Sequence, residues 1–302
     1  MSETTSHDVI VIGAGAAGLT AAHQTLQAGL STAWLEAQMF GGLLLNVNEL
    51  DGSIQGSGAE LTSNWMAQVF DLGGENLEAV ACGIERNGDA LVVISDIGQH
   101  RARAVIVASG ACLKKLDIPG EEALQYKGVS HCADCDGPMF QDQDVVVIGG
   151  GDSALQSAMV LSKFCSKVHL VHRGESFRAQ KQWQDAVHAA HNIQIHWNSQ
   201  ASEVIGTEGV QGVRVNGEVI PCSGFFAFVG LEPTSDFLPA AIARDERGAV
   251  VVSNTLETDM PGVFAAGCVR SDCGGRLEDA VADGQAAARS VVLKLGGVLA
   301  SN

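Results

Sequence analysis

Two stretches of this chain read alike, and together they constrain the fold more than any other feature. Residues 8–22 are DVIVIGAGAAGLTAA and residues 144–158 are DVVVIGGGDSALQSA. Each is a run of β-branched residues, a Gly-rich turn and an Ala-rich stretch, so each predicts a strand, a tight turn and a helix. The turns are Gly13-x-Gly15-x-x-Gly18 and Gly149-x-Gly151-x-x-Ala154, with Asp152 and Ser153 opening the second helix. In that context the glycines let a pyrophosphate come close to the helix N-terminus, where free N–H groups and the helix dipole favour anions. Two such units imply an α/β fold of two Rossmann-like dinucleotide-binding domains.

The strand after each helix separates the two ligands. STAWLEA places Glu36 23 residues after Gly13, and SKVHLVHRG places His172 23 residues after Gly149. A carboxylate accepts hydrogen bonds from free ribose hydroxyls but repels a 2′-phosphate. His172, Arg173 and Arg178 do the reverse, since guanidinium forks suit a phosphate. The first unit is therefore expected to hold FAD or NAD, and the second NADPH, with NADH possible.

Other segments place the second unit inside the first. RARAVIVASGACLKKLDIPG (101–120) reads as a strand, a small-residue turn and an exit to a Pro-Gly loop. TDMPGVFAAGC (258–268) reads as a turn, a short strand and a Gly turn, followed by a helical pattern over 277–295. The expected boundaries are 1–112 with 245–302 for the outer domain and 113–244 for the inserted one.

Composition bounds the partners. The 302 residues are 46% hydrophobic, enough for sizeable cores, and the formal net charge is −17. Such a surface repels phosphate backbones and anionic lipid, which argues against nucleic acid and membranes. No run approaches the about 18–20 apolar residues of a membrane span, and the N-terminus lacks a basic start, so a cytoplasmic protein is expected. Eight cysteines are scattered along the chain, which in that compartment predicts mostly reduced and mostly buried thiols. Against this background HCADCDG (131–137) stands out for its close pair Cys132/Cys135.

With these motifs in hand, the chain resembles the low-molecular-weight thioredoxin reductases, a branch of the two-dinucleotide-domain flavoproteins. The resemblance runs from GAGAAGLTAA through FGGLLLNVNELDG, CADCDGPMF, VVVIGGGDSAL and VHLVHRGESFRAQK to PGVFAAG. It implies FAD in the outer domain, NADPH in the inserted one and a homodimer. It further implies flavin contacts from Gly41, Gly42, Leu43 and Asn46, and from Gly267 and Cys268. The electron acceptor it implies is a thioredoxin-like protein or a small-molecule disulfide.

Three chemistries compete for Cys132/Cys135. Structural zinc needs four ligands, and the only candidate second pair is Cys268/Cys273, with a four-residue gap. A structural disulfide would close a tiny loop under a reducing poise. A redox-active dithiol fits both the residues and the resemblance. The resemblance implies that Cys135 faces the flavin, that Cys132 attacks the substrate disulfide and that Asp136 is the acid–base. Asp134 is expected to be exposed, and His131 to be incidental. The dithiol cannot face flavin and partner at once, and the resemblance implies that the domains rotate about the joints near 112 and 245.

The chain departs from the family pattern at three places. AAGC stands for AAGD, so Cys268 replaces an aspartate that contacts the flavin. This leaves either a second thiol pair, Cys268/Cys273, or, as preferred here, a small buried side chain and a loop cysteine. His-Arg-Gly stands for His-Arg-Arg, and Leu43 replaces a polar residue. These departures keep open a dithiol oxidase that reoxidises its flavin with O₂, or a flavin redox sensor or carrier. His188, His191 and His196 cluster without a completing acid or cysteine, and read as a solvated helix running into a strand rather than a metal site.

Overall fold

The computed structural model describes residues 5–47, 50–51, 53–88 and 90–297. The chain divides into two compact units, Met1–Cys112 with Glu232–Asn302, and Leu113–Leu231.

The first unit begins with β1 (Thr5–Ile12), α1 (Ala16–Gln27), β2 (Thr32–Leu35) and the short pair β3 (Leu50–Asp51) and β4 (Gln55–Gly56). It continues through α2 (Gly58–Asp71), β5 (Glu75–Leu77), β6 (Ala81–Asn87), β7 (Ala90–Ser95) and β8 (Gly98–Val107). β5, β2, β1 and β8 lie side by side in parallel. The apolar run of β1 is continuous because both faces of the sheet are covered. Val9 and Val11 sit in one core cluster with Ala17 and Ile106, while Ile10 and Ile12 sit in another with Val105 and Val107. That is the period-2 alternation of a strand buried on both sides.

β9 (Ala111–Leu113) leads into the second unit, which contains β10 (Val129–Ser130), α3 (Ala133–Asp136), β11 (Asp144–Gly149), α4 (Asp152–Leu161) and β12 (Lys167–Val171). There follow α5 (Lys181–Ala189), β13 (Ile193–His196), the antiparallel trio β14 (Ala201–Gly206), β15 (Val210–Val215) and β16 (Glu218–Pro221), and β17 (Gly224–Phe228). The parallel sheet runs β10-β17-β11-β12-β13. Its β13, β12, β11 and β17 occupy the places that β5, β2, β1 and β8 hold in the first unit. The duplication seen in the Gly-rich turns therefore extends to four strands of each sheet.

β18 (Leu231–Pro233) leads back and pairs with β9. β19 (Val263–Ala265) then covers the end of β8 at Val105–Val107, and α6 (Leu277–Lys294) closes the unit. The return at 231/232 comes earlier than 245. Leu238 and Ile242 are buried in the first unit's core with Val250 and Val263, and Ser235 Oγ donates to the Gly248 carbonyl at 2.6 Å. The boundary follows that burial, because no Gly- or Ser-rich linker marks it. Among the described residues no helix is long and apolar enough to cross a membrane.

Candidate active site

The CADCDG stretch forms the single helical turn α3, between β10 and β11 of the second unit. Cys132 caps the turn in extended conformation, and Cys135 is bonded to it as a disulfide with Cα atoms 5.3 Å apart. Cys135 is exposed and Cys132 half-buried. The Cys135 N–H donates to Cys132 Sγ at 3.2 Å, a contact that favours negative charge on that sulfur once the bond opens.

Ser130 ties the motif together. Its hydroxyl donates to Asp136 Oδ2 at 2.6 Å and accepts the Cys132 N–H at 3.1 Å. Parallel pairing of Ser130 with Phe226 on β17 fixes its position. Nothing in the sequence pattern singles out Ser130 beyond a hydroxyl two residues ahead of Cys132. Asp134 is half-buried rather than exposed, and burial raises its carboxyl above the usual range. Burial pushes the His131 imidazole below its ordinary value, against Glu121, so it offers the sulfurs no fixed positive charge.

In the first Gly-rich turn the glycines do different work. Gly13 has φ 101°, and a Cβ there would overlap the Ala108 carbonyl; a Cβ on Gly18 would overlap the Gly13 carbonyl. Gly15 would meet nothing within 4 Å. The outer glycines close the turn and the middle one leaves an open face. The Gly41 N–H donates to the Ala14 carbonyl at 2.8 Å, which holds Gly42 next to Gly15. Leu43 is half-buried and Asn46 exposed in the 3₁₀ turn that follows. Glu36 accepts the N–H of Ala14 at 3.2 Å and of Gln38 at 3.0 Å. A carboxylate has lone pairs left over for ribose hydroxyls. An open Gly15 beside an anchored acid fits the adenosine and pyrophosphate of FAD.

The second turn repeats this. A Cβ on Gly149 would lie 2.6 Å from Ala154 Cβ and from the Phe228 carbonyl, whereas Gly151 would meet nothing within 4 Å. Ser153 is exposed at the head of α4, and Asp152 accepts the backbone N–H and the side-chain amide of Gln180 at 2.6 and 2.8 Å. The Arg178 N–H donates to the Gly150 carbonyl at 2.8 Å, which places this arginine beside the turn. Arg173 and Arg178 are exposed, and among the described residues neither forms an ion pair. His172 is turned inward instead. Its ring lies against Gly150, packs on Phe177 and Trp197, and has Nε2 3.0 Å from the Ser176 carbonyl oxygen. Two exposed arginines and an open Gly151 fit a 2′-phosphorylated dinucleotide.

After β19 the chain turns at Gly267, φ 77°. Its N–H donates to Asp283 Oδ2 at 2.9 Å, and Arg270 grips the same buried carboxylate through Nε and Nη2 at 2.6 and 2.7 Å. Asp283 is thus committed to the protein and does not replace the aspartate that Cys268 displaces. Cys268 Sγ lies 3.3 Å from Cys273 Sγ. Of the remaining thiols, Cys165 and Cys222 are buried, which pushes them up to about 11 and about 12, while Cys82 and Cys112 are exposed. The expectation of mostly buried cysteines thus holds for only part of the set, because strands at sheet edges carry the other two. Among the described residues no group of three or more His, Cys, Asp or Glu could hold a metal ion. His196 pairs with His169 instead, at 3.0 Å.

Two sheets that share one four-strand order, each with an open Gly-rich turn, and a disulfide on a one-turn helix define a two-dinucleotide-domain disulfide oxidoreductase. The chain belongs to the pyridine nucleotide-disulphide oxidoreductase family, whose model matches residues 7–287, and within it to the low-molecular-weight thioredoxin reductases. It is 34% identical over 296 residues to the thioredoxin reductase of Treponema pallidum, covering 95% of this chain and 96% of that one. It is 35% identical over 301 residues to that of Bacillus subtilis, covering 96% and 95%. The crystal structure of Lactococcus lactis thioredoxin reductase superposes with a TM-score of 0.90 at 35% identity, covering 95% of this chain and 98% of that one. That of T. acidophilum thioredoxin reductase gives 0.89 at 29% identity, covering 96% and 99%. The protein is an oxidoreductase, and thioredoxin reductases as a family depend on FAD and use NADPH.

Proposed function

We propose that this enzyme reduces disulfides with electrons drawn from NADPH through FAD and the Cys132–Cys135 pair, and that its acceptor is a thioredoxin-like protein or a small disulfide. The observation that carries this reading is the disulfide itself, held on one helical turn with Cys135 exposed and Asp136 tethered to Ser130. Gly13, Gly15, Gly18, Glu36, Gly41, Gly42, Leu43, Asn46, Gly267 and Cys268 would hold FAD. Gly149, Gly151, Asp152, Ser153, Ala154, His172, Arg173 and Arg178 would hold NADPH, with the arginines taking the phosphate and His172 bracing the turn. Bound FAD supplies the two-electron chemistry that connects a nicotinamide hydride to a disulfide.

The rest falls to the chain's own residues. Reduction breaks the Cys132–Cys135 bond and leaves a dithiol. The Cys132 thiolate, favoured by the Cys135 N–H, attacks one sulfur of the substrate disulfide and forms a mixed disulfide. The Cys132 proton passes to Asp136, which Ser130 holds in place, and the departing thiolate takes it from there. Cys135 then loses its proton to Asp136 and attacks Cys132 Sγ. That releases the second substrate thiol and restores the Cys132–Cys135 bond. The resemblance supports a cytoplasmic homodimer as the working form.

Anaerobic titration of the purified protein tests this. NADPH should bleach a bound flavin, a disulfide acceptor should restore the colour, and Cys135→Ser should block the restoration. A flavin bleached by a dithiol but by neither NADPH nor NADH would overturn the reading in favour of dithiol oxidation.

A further inference from the structure

We propose that Cys268 and Cys273 form a second redox-active dithiol, which closes to a disulfide by exchange with low-molecular-weight disulfides and reopens with small thiols. The sulfurs stand 3.3 Å apart, so closure to a bonded pair needs an approach of only about 1.3 Å. Both side chains are half-buried, unlike the inaccessible Cys165 and Cys222.

The segment between them can make that adjustment. Arg270 is fixed by its paired bonds to Asp283, and α6 begins at Leu277. Between these anchors Asp272 has φ 57° and Gly275 φ 77°. Gly274 lies so close over the Asp279 carboxylate that a side chain there would overlap it. Two adjacent glycines leave the loop free to reshape without side-chain clashes.

The pair is also chemically asymmetric. A hydrogen bond joins the two thiols, and with the Gly275 N–H and Arg270 it draws Cys273 down to about 7, against burial and Asp283. The same hydrogen bond, with burial and the carboxylates of Asp283 and Asp279, pushes Cys268 above its ordinary value. Cys273 is therefore the attacking sulfur and Cys268 the resolving one. The Cys273 thiolate attacks a disulfide RS–SR, breaks its S–S bond and releases RS⁻. The thiolate RS⁻ takes the Cys268 proton to become RSH. Cys268 sulfur then attacks Cys273 Sγ and displaces the second RS⁻, which takes a proton from water. Two protein thiols become one disulfide while one RS–SR becomes two RSH.

The test uses the full chain carrying Cys132→Ser and Cys135→Ser, with its flavin, equilibrated in mixtures of oxidised and reduced glutathione. After acid quenching and alkylation, trypsin cuts at Arg247, Arg270 and Arg276, leaving Cys268 in 248–270 and Cys273 in 271–276. The expected product is those two peptides joined by a disulfide, lost again as reduced glutathione is raised. Its rate of formation should rise about tenfold from pH 6 to pH 8 as the attacking thiol ionises. Adding Cys268→Ser should leave glutathione trapped on Cys273. Joined peptides absent at every ratio, or no trapped adduct, would overturn the proposal. Neither readout depends on NADPH or on Cys132/Cys135, so its failure is distinct from failure of the proposed function.

Discussion

In the first Gly-rich turn a side chain at Gly15 would meet no neighbour within 4 Å, and in the second the same holds at Gly151. The flanking positions are closed in both, Gly18 against the Gly13 carbonyl and Gly149 against Ala154 and the Phe228 carbonyl. The difference lies at the end of the next strand. The first unit ends in Glu36, held by two backbone N–H groups, and the second in Arg173 and Arg178, which reach outward while His172 turns in. One scaffold thus separates two tasks. Backbone overlap makes the closed glycines structural; in the proposed function the open ones take the ligands and the strand ends select between them.

The sharpest way to break this comparison is to fill a closed position and an open one. Gly18→Val sets a branched side chain against the Gly13 carbonyl, backbone that cannot give way. It should cost about 3 kcal/mol or more and yield little folded, yellow protein. Gly151 has φ −99° and ψ 179°, which any residue adopts. Gly151→Ala should leave the urea midpoint within about 0.5 kcal/mol of wild type. It should nonetheless raise KM for NADPH by roughly tenfold, about 1.4 kcal/mol of lost binding. Equal stability losses in the two variants would mean that the open and closed positions are not distinct.

Next in size are the arginines. Arg173→Ala and Arg178→Ala each remove charged donors worth about 1.5–3 kcal/mol, so KM for NADPH should rise roughly 10- to 100-fold. KM for NADH should stay within twofold of its starting value, about 0.4 kcal/mol. Steady-state kinetics with both nucleotides decides this, and an equal loss with NADH would remove the arginines from the phosphate.

What the sequence shows of all this depends on the range of the interaction. The strand–turn–helix units, Glu36 and Cys132/Cys135 are legible because each depends on residue types within a few positions. The inward turn of His172 is not, since it depends on a slot formed by Gly150, Phe177 and Trp197. His172 adjoins Arg173 in sequence but not in direction. Ser130 on Asp136 and Gln180 on Asp152 are equally hidden, because hydroxyls and amides take meaning only from what lies opposite. The return of the chain at 231/232 follows Leu238 and Ile242 into a core built mostly by residues more than a hundred positions earlier.

The Asp152–Gln180 clasp gives a smaller effect of the same kind. It secures the loop carrying Arg178 against the head of α4, and the first unit has no counterpart among its described residues. Gln180→Ala removes the side-chain half of the clasp, worth about 1 kcal/mol. KM for NADPH should rise by roughly fivefold, and the change should shrink when Arg178 is already alanine, as expected for groups that act together. Full additivity in that double variant would separate the clasp from the arginine.

The smallest effect compares the two sheets themselves. In the first, Ile10 of β1 pairs with Ala33 of β2, and in the second Val146 of β11 pairs with His169 of β12. His169 Nδ1 lies 3.0 Å from His196 Nε2 on β13. Burial holds both rings below their ordinary value; His196 and Lys167 add to this at His169, and Asp144 at 3.9 Å opposes it. A histidine whose folded pKa is lowered binds protons in the unfolded chain first. Stability is therefore complete above the unfolded value of about 6.5 and falls as pH drops below it. The urea midpoint should be lower at pH 5.5 than at pH 7.5. His169→Ala makes the second sheet like the first at this position, so it should lower the midpoint at both pH values yet narrow the gap between them. An undiminished gap would mean that the proton uptake lies elsewhere in the molecule.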